Sequence, residues 1–296
     1  MKKLLLILAA IIGASSCCGP DTRKVMARFV PERFDDFVFE NNLVAGRIYG
    51  EALESCGKGQ ITSPGIDVWV KKPGELVCNK RYVDDLQNGR SYHINWGDGK
   101  DCYKVGRSLG AGASAVVVDG KVILPETNFR SYEILEDRPD KVTFALHYPE
   151  WEHEGEKISL RKKITVVPDS YFCKVEDTYV FEGASGDSLF IAAGVNRHAS
   201  QDIMEYEEFG SDRYTLWEGA SDQSVEVDSV SRIGIAVVVP DAEFSCLSDD
   251  KVHALVGKKV KSGDTFTYYF ASCWNEGDIK SREQWTGLVS GFDLEK

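Results

Sequence analysis

The stretch SAVVVDGKVIL, residues 114–124, decides the fold: two β-branched apolar runs flank an Asp119-Gly120 pair. An Asp-Gly pair tolerates the positive φ angles of a two-residue turn, so apolar runs on either side of it read as a β-hairpin. Working outward, short runs of the same kind recur at 131–135, 141–148, 158–167, 172–181, 188–195, 214–218, 224–227, 232–239, 252–258 and 265–272, with turn residues between them. Upstream, FVFENNLVAGRIYGEAL reads as two strands about an Asn41-Asn42 turn, and GIDVWVKK as a strand. That strand carries Asp67, Trp69 and Lys71 on one face and Ile66, Val68 and Val70 on the other. Side chains of a strand alternate between faces, and repeated short period-two segments predict an all-β protein, here a large antiparallel β-sandwich. Two helices are expected. A short one spans 80–89, and a C-terminal one spans 278–291, capped at Asp278 or Ser281 with Trp285, Leu288 and Val289 on one face.

Composition fits one globular domain over 35–296: 43% of the 296 residues are hydrophobic and 28% charged. The opening residues differ. Lys2 and Lys3 precede an apolar run from Leu4 to Ile12 and the small residues Gly13 to Ser16, the pattern of an export signal over 1–16. Cys17 follows, in a setting that resembles the lipobox of bacterial lipoproteins, although Ala14 stands where leucine is usual. We therefore expect lipidation at Cys17, a polar tether over 17–34, and a protein anchored by lipid to a bacterial membrane on the periplasmic or outer side. An ordinary signal peptide cut nearby is the competing reading. With 47 acidic against 35 basic residues and a net charge of −12, nucleic acid is a poor partner. Six cysteines downstream show no C-x-x-C spacing, so neither zinc nor a compact disulfide framework is expected. Buried thiols and one or two bridges both remain open, as does the oligomeric state.

Function should concentrate in YHINWGDGKDCYKVGRSLGAGA, residues 92–113, too polar and glycine-rich for a core. His93 there, and His198 in AAGVNRHA, offer imidazoles for proton transfer. Tyr103 and Lys104 can assist a departing oxygen. Arg47, Arg107 and Arg130 offer guanidinium forks for a carboxylate, and His147 with Trp151 offers an aromatic edge for a sugar ring. Each has a structural competitor: a histidine satisfied locally, a surface ion pair, ordinary edge packing. Asp98 and Asp101 in GDGKD present oxygens suited to calcium, but the full calcium loop is absent, so no metal and no cofactor are expected. His153 and His253 lie in charged segments expected to be exposed, and carry no assignment. No G-x-S-x-G elbow, H-E-x-x-H helix, P-loop or dinucleotide fingerprint occurs.

The segments ENNLVAGRIYG (40–50), PGIDVWVKK (64–72), residues 92–113, FALHYPEW (144–151), AAGVNRHA (192–199) and YYFASCWNEGDIKSREQW (268–285) resemble the bacterial family catalogued as domain of unknown function 4861. The resemblance runs from about Asp36 to the C-terminus. It implies a galactose-mutarotase-like supersandwich, export, and work beside polysaccharide-degrading enzymes, without naming a reaction. Three functions follow as expectations. The first is a lyase or dehydratase acting by proton abstraction on uronate-containing oligosaccharides, with His93 and His198 as acid and base. The second is a mutarotase- or epimerase-like enzyme. The third is a non-catalytic sugar-binding lipoprotein using Trp69, Trp96, Trp151, Trp217 and Trp274 as stacking faces. The sharpest spatial expectation is that His93, Asp98, Lys104 and His198 line one concave face with Arg47.

Overall fold

The computed structural model describes residues 23–57, 60–183, 186–199, 203–220 and 230–293. A first sheet is built in sequence order from β1 (Val25–Val30), β2 (Asp36–Asn41), β3 (Ala45–Ile48), β4 (Asp67–Lys71) and β5 (Gly99–Asp101), antiparallel throughout. The remaining strands are β6 (Ser114–Val118), β7 (Lys121–Ile123), β8 (Ser131–Arg138), β9 (Lys141–His153), β10 (Glu156–Val166), β11 (Phe172–Glu182) and β12 (Ser188–Asn196). They continue with β13 (Met204–Phe209), β14 (Arg213–Gly219), β15 (Arg232–Val238), β16 (Phe244–Leu247), β17 (His253–Lys261) and β18 (Thr265–Trp274). These form an eight-stranded sheet, β13-β14-β15-β18-β11-β10-β9-β8, and a five-stranded one, β16-β17-β12-β6-β7. The helices are α1 (Cys78–Asn88) and α2 (Arg282–Ser290).

Burial alternates along β10, from buried Ile158, Leu160, Lys162 and Ile164 to part-exposed Ser159, Arg161 and Lys163. At β10 one face of the large sheet is therefore covered and the other faces solvent, as in an antiparallel sandwich, whereas β14 and β15, which α2 packs against, are buried on both faces. Both smaller sheets cover that face: β1, β2 and β4 lie against β9, β10 and β18, while β12 and β17 lie against β15 and β14. A single apolar core runs through all three sheets, including Phe37, Phe144, Ile164, Val195, Leu255 and Phe270. The fold is all-β, with α2 as its short C-terminal helix, capped by Ser281, whose hydroxyl accepts from the Gln284 amide. Asp278 is taken up instead by the Tyr171 hydroxyl.

A buried charged pair lies in the inter-sheet space. Lys162 and Asp177 stand directly opposite on β10 and β11, both fully buried and 2.5 Å apart. Ser114, reaching across from β6, donates to Asp177 and also bonds the Tyr179 hydroxyl at 2.8 Å. A buried carboxylate deprived of a donor is costly, so Ser114→Ala should lower unfolding free energy by about 1–3 kcal/mol. Equilibrium urea denaturation reads this, and an unchanged midpoint would show that Lys162 alone satisfies Asp177.

Several expectations need correction. The expected tether ends early: Val25–Val30 is a strand paired to β2 along its whole length, followed by a 3-10 turn over Pro31–Arg33. Its spacing is masked in sequence because Met26 and Val30 pack into a small second core and Val25 into the main one. β5 interrupts the segment expected to be loop, and β13 and β16 lie where the sequence predicts no strand. Gly99 opens β5 at φ +125°, where a Cβ would sit 2.0 Å from the Val70 carbonyl oxygen, so this glycine serves close strand approach and not looseness. His253 is buried, accepting at Nε2 from the Leu109 amide, and burial pushes its pKa down to about 4. Cys78, Cys173, Cys246 and Cys273 are free thiols. The export signal, Cys17 and the run 224–227 lie outside the described residues.

Candidate functional site

The outer face of the first sheet builds the site. Alternation on β4 sends Val68 and Val70 into the main core and Trp69 outward, as the sequence predicts. Outward with Trp69 point Arg47 on β3, Asp67 on β4 and Asp101 on β5, because Arg47 pairs in register with Asp67 and Trp69 with Asp101. Helix α1 and the segment behind it cover this face, and Tyr82, Tyr92 and Cys78 complete a small second core on Trp69. The helix start is fixed by Glu40 of β2, whose carboxylate accepts the Val77 and Cys78 amides at 2.9 Å and the Lys71 ammonium at 3.2 Å.

Arg47 is the hub. Its guanidinium donates to Asp67 at 2.8 Å and to Asp101 at 2.7 Å, with Asp36 at 3.9 Å, and all four residues are buried. The rings of Tyr49, Trp69 and Tyr92 surround it at 5.4–5.5 Å. Three carboxylates against one fork cannot all be comfortably ionised. Burial, together with the neighbouring charge of Asp101, lifts the Asp67 pKa to about 8 against the pull of Arg47. Burial likewise lifts Asp36 to about 6, with Arg47 and Arg33 holding it back. Tyr49 donates its hydroxyl to Asp67 at 3.1 Å, and burial pushes its own pKa far up, so it remains neutral.

Beside this cluster opens a cavity of about 390 Å³ lined by Arg33, Arg47, Tyr49, Leu53, Gln60, Ile61, His93, Lys104 and Gly106. Its volume lies in the range of small-ligand sites. His93 reaches it with its side chain 29% exposed. The ring Nδ1 lies 3.1 Å from the Asp101 carbonyl oxygen, and a carbonyl only accepts, so Nδ1 carries a hydrogen. In the neutral ring Nε2 is then the unprotonated nitrogen. Arg33, from the turn after β1, donates Nε to the Tyr92 hydroxyl at 2.8 Å and keeps 18% of its side chain exposed.

Of the residues expected to converge, the structure brings His93, Lys104 and Arg47 to one cavity. Asp98 and His198 do not line it. Asp98 is held by Arg81 at 2.7 Å, and Asp101 by Arg47. Among the described residues no group of three His, Cys, Asp or Glu side chains is placed for a metal ion. His198 is 2% exposed, between Glu218 at 2.7 Å and the Lys104 carbonyl oxygen at 2.7 Å, so it cannot touch a sugar as the two-histidine scheme requires. Tyr103 is fully buried and donates to the Gly110 carbonyl, which removes it as an acid for the cavity.

The other arginines are committed to protein. Arg130 forks onto both oxygens of Glu54 at 2.8 Å, and Arg107 donates to the Thr62 carbonyl at 3.1 Å. His147 of β9 pairs with Glu133 of β8, neither of them lining the cavity, and Trp151 is buried in the main core. Trp69, Trp217 and Trp274 are buried too, so of the proposed stacking faces only Trp96 is exposed, and Arg90 lies over it at 4.3 Å. Sequence reasoning missed Arg33, hidden in the supposed tether, and Tyr49, whose place beside Arg47 in GRIYG was the available signal.

Fold and site together define an antiparallel β-sandwich with a cationic, histidine-bearing cavity over a buried carboxylate cluster. The chain belongs to the family described as Domain of unknown function (DUF4861), whose model matches residues 14–295. A relative from Formosa agariphila, "Uncharacterized protein P7", is 36% identical over 277 residues, which is 90% of this chain and 66% of the relative. The chain thus spans just under two thirds of that relative. Among solved structures, the GH36 alpha-galactosidase AgaB from Geobacillus stearothermophilus aligns over 84% of this chain and 41% of its own, at 9% identity and a TM-score of 0.36. A galactose mutarotase related enzyme from Lactobacillus acidophilus aligns over 81% of this chain and 97% of its own, at 9% identity and a TM-score of 0.25. No helix among the described residues is long and apolar enough to cross a membrane.

Proposed function

We propose that the protein is an exported, lipid-anchored enzyme that eliminates across uronate units of oligosaccharides in the Arg33–His93–Lys104 cavity. The observation that carries this reading is His93: its Nδ1 hydrogen is held on the Asp101 carbonyl, leaving Nε2 as the base in a cavity walled by arginine and lysine. In the reaction His93 removes the proton at C5 of the uronate. The electron pair is delocalised into the carboxylate, whose charge Arg33 neutralises. The C4–O bond then breaks, and the departing oxygen takes a proton from the Lys104 ammonium. The products are a 4,5-unsaturated uronate and a shortened sugar or water. Arg47, its fork already filled, keeps Asp67 and Asp101 in place and does not take the substrate carboxylate.

The burial of five of the six tryptophans weighs against a sugar-stacking binder. Incubation of the full chain with saturated and unsaturated oligouronides should produce the absorbance of a conjugated enol acid and a matching mass change. Anomer interconversion without mass change would transfer the same acid and base to a mutarotase. No change across a broad panel would remove both enzymatic readings.

A further inference from the structure

Beneath the cavity segment 104–106 lies a buried pair that the reaction does not touch. His198 follows β12 and Glu218 belongs to β14, and both are shielded from solvent. His198 Nδ1 faces Glu218 Oε1 at 2.7 Å, while Nε2 faces the carbonyl oxygen of Lys104 at 2.7 Å. Asn196, two residues earlier, donates to the carbonyls of Lys104 at 3.2 Å and Val105 at 3.3 Å. The Tyr103 ring packs edge-on against the imidazole at 5.0 Å. The backbone that presents Lys104 is thus fastened from below by the end of β12, with Glu218 behind it.

Counting hydrogens makes the arrangement specific. The Asn196 amide nitrogen also lies 3.2 Å from Nε2, but it gives its hydrogens to the Lys104 and Val105 carbonyls, and the Lys104 carbonyl at 2.7 Å only accepts, so Nε2 must carry a hydrogen. Between Nδ1 and Glu218 Oε1 there is then room for one proton, on either the ring or the carboxyl. Remove it, and a lone pair faces a buried carboxylate at 2.7 Å, whose other oxygen, Oε2, has no hydrogen-bond partner among the described residues. Such an unpaired buried charge is costly. We infer that His198 and Glu218 are positioning residues, a single-proton clamp that holds the Lys104 segment against the cavity and releases it when the pair loses that proton.

The surrounding groups agree. Burial disfavours the imidazolium, but the Glu218 hydrogen bond and charge outweigh it and leave His198 raised above its ordinary value. Burial also raises Glu218, against the pull of His198, so both directions keep the proton within the pair. The other charged or titratable groups facing it are the Lys104 ammonium, which opposes the imidazolium, the Tyr103 hydroxyl and the Cys102 thiol, the last two kept neutral by burial. The closed segment therefore holds a proton that an opened one gives up near the ordinary histidine value. The clamp is complete below about pH 6.5 and is lost as pH rises towards the raised value of the closed form.

This inference takes its purpose from the proposed elimination, but its test needs no substrate. Hydrogen exchange of the segment 103–110 is followed in the full chain from pH 6 to 10 and corrected for intrinsic rates, with the ¹⁵N resonances of His198 read in parallel. Protection should fall about tenfold per pH unit through the window where the pair loses its proton. In Glu218→Gln the amide can turn its nitrogen to Nδ1 and keep Nε2–H on the Lys104 carbonyl at every pH, so the step should vanish while protection persists. Asp67 also titrates near pH 8, but it faces Arg47 and Tyr49, and any step it causes would survive in Glu218→Gln. A flat wild-type profile, or an equal step in Glu218→Gln, overturns the clamp. If no oligouronide is turned over but the exchange step appears and vanishes as described, the clamp stands and the elimination falls.

Discussion

Arg47→Met should be among the most damaging single substitutions in the first sheet, lowering unfolding free energy by about 3–5 kcal/mol at neutral pH, the range for stranding one side of a buried ion cluster. Methionine fills much of the space between the rings of Tyr49, Trp69 and Tyr92 but leaves Asp36, Asp67 and Asp101 without their shared cation. The loss should depend on pH, with a definite sign. Asp36 and Asp67 hold protons in the folded chain at pH values where the unfolded chain has released them. Their contribution is complete below the ordinary carboxylate range and is lost as pH rises through about 6 for Asp36 and about 8 for Asp67. Without Arg47 both carboxyls are pushed higher still, so the gap between wild type and variant should be small near pH 5 and widest above pH 8. Arg47→Lys, which keeps charge but cannot fork, should fall between them. Urea denaturation across this pH range measures it, and a deficit under about 1 kcal/mol at pH 8 would mean the carboxylates are satisfied without Arg47.

The fold was legible because its signals are local. Asp119-Gly120 makes its hairpin, Asn41-Asn42 turns β2 into β3, and the alternation in GIDVWVKK places Trp69 outside and Val68 inside. What escaped depended on partners distant in sequence. β1 carries Arg28 and Pro31 about its apolar residues and looks like a polar leader until β2 pairs with it. The site divided in the same way. His93 and Lys104 stood out through their polar, glycine-rich company, and the structure sets both on one cavity.

His198 and Tyr103 stood out for the same reason and lie beneath that cavity, because composition does not distinguish a side chain aimed at a ligand from one aimed at the backbone holding the site. The arginines show the limit most clearly. Arg47 lies within β3, Arg107 in the loop after β5 and Arg130 just before β8, and their acceptors are Asp67, a carbonyl and Glu54, none adjacent in sequence. Arg33 carries no local signal, because its supporting tyrosine, Tyr92, is fifty-nine positions away.

His93→Gln should abolish most of the elimination while leaving the fold intact. Glutamine can still donate from its amide towards the Asp101 carbonyl, and the side chain it replaces is part-exposed, so stability should change by no more than about 1 kcal/mol. An amide has no basic nitrogen to take a proton, and loss of a positioned general base lowers rates by about 10²–10⁴-fold. The loss should fall on kcat, because His93 contributes to breaking the C–H bond and little to holding the sugar. Arg33→Ala makes the contrast. Its guanidinium meets the substrate carboxylate in both ground and transition states, so KM should rise, and kcat should fall further only to the extent that the enolate is held more tightly than the carboxylate. His147→Ala, on β9 with its Glu133 partner, should leave both constants unchanged. Steady-state kinetics on one oligouronide, with the enol-acid absorbance as signal, separates the three. Wild-type kcat in His93→Gln would take the base away from this histidine, and a His147→Ala defect as large as that of His93→Gln would move the site off the cavity altogether.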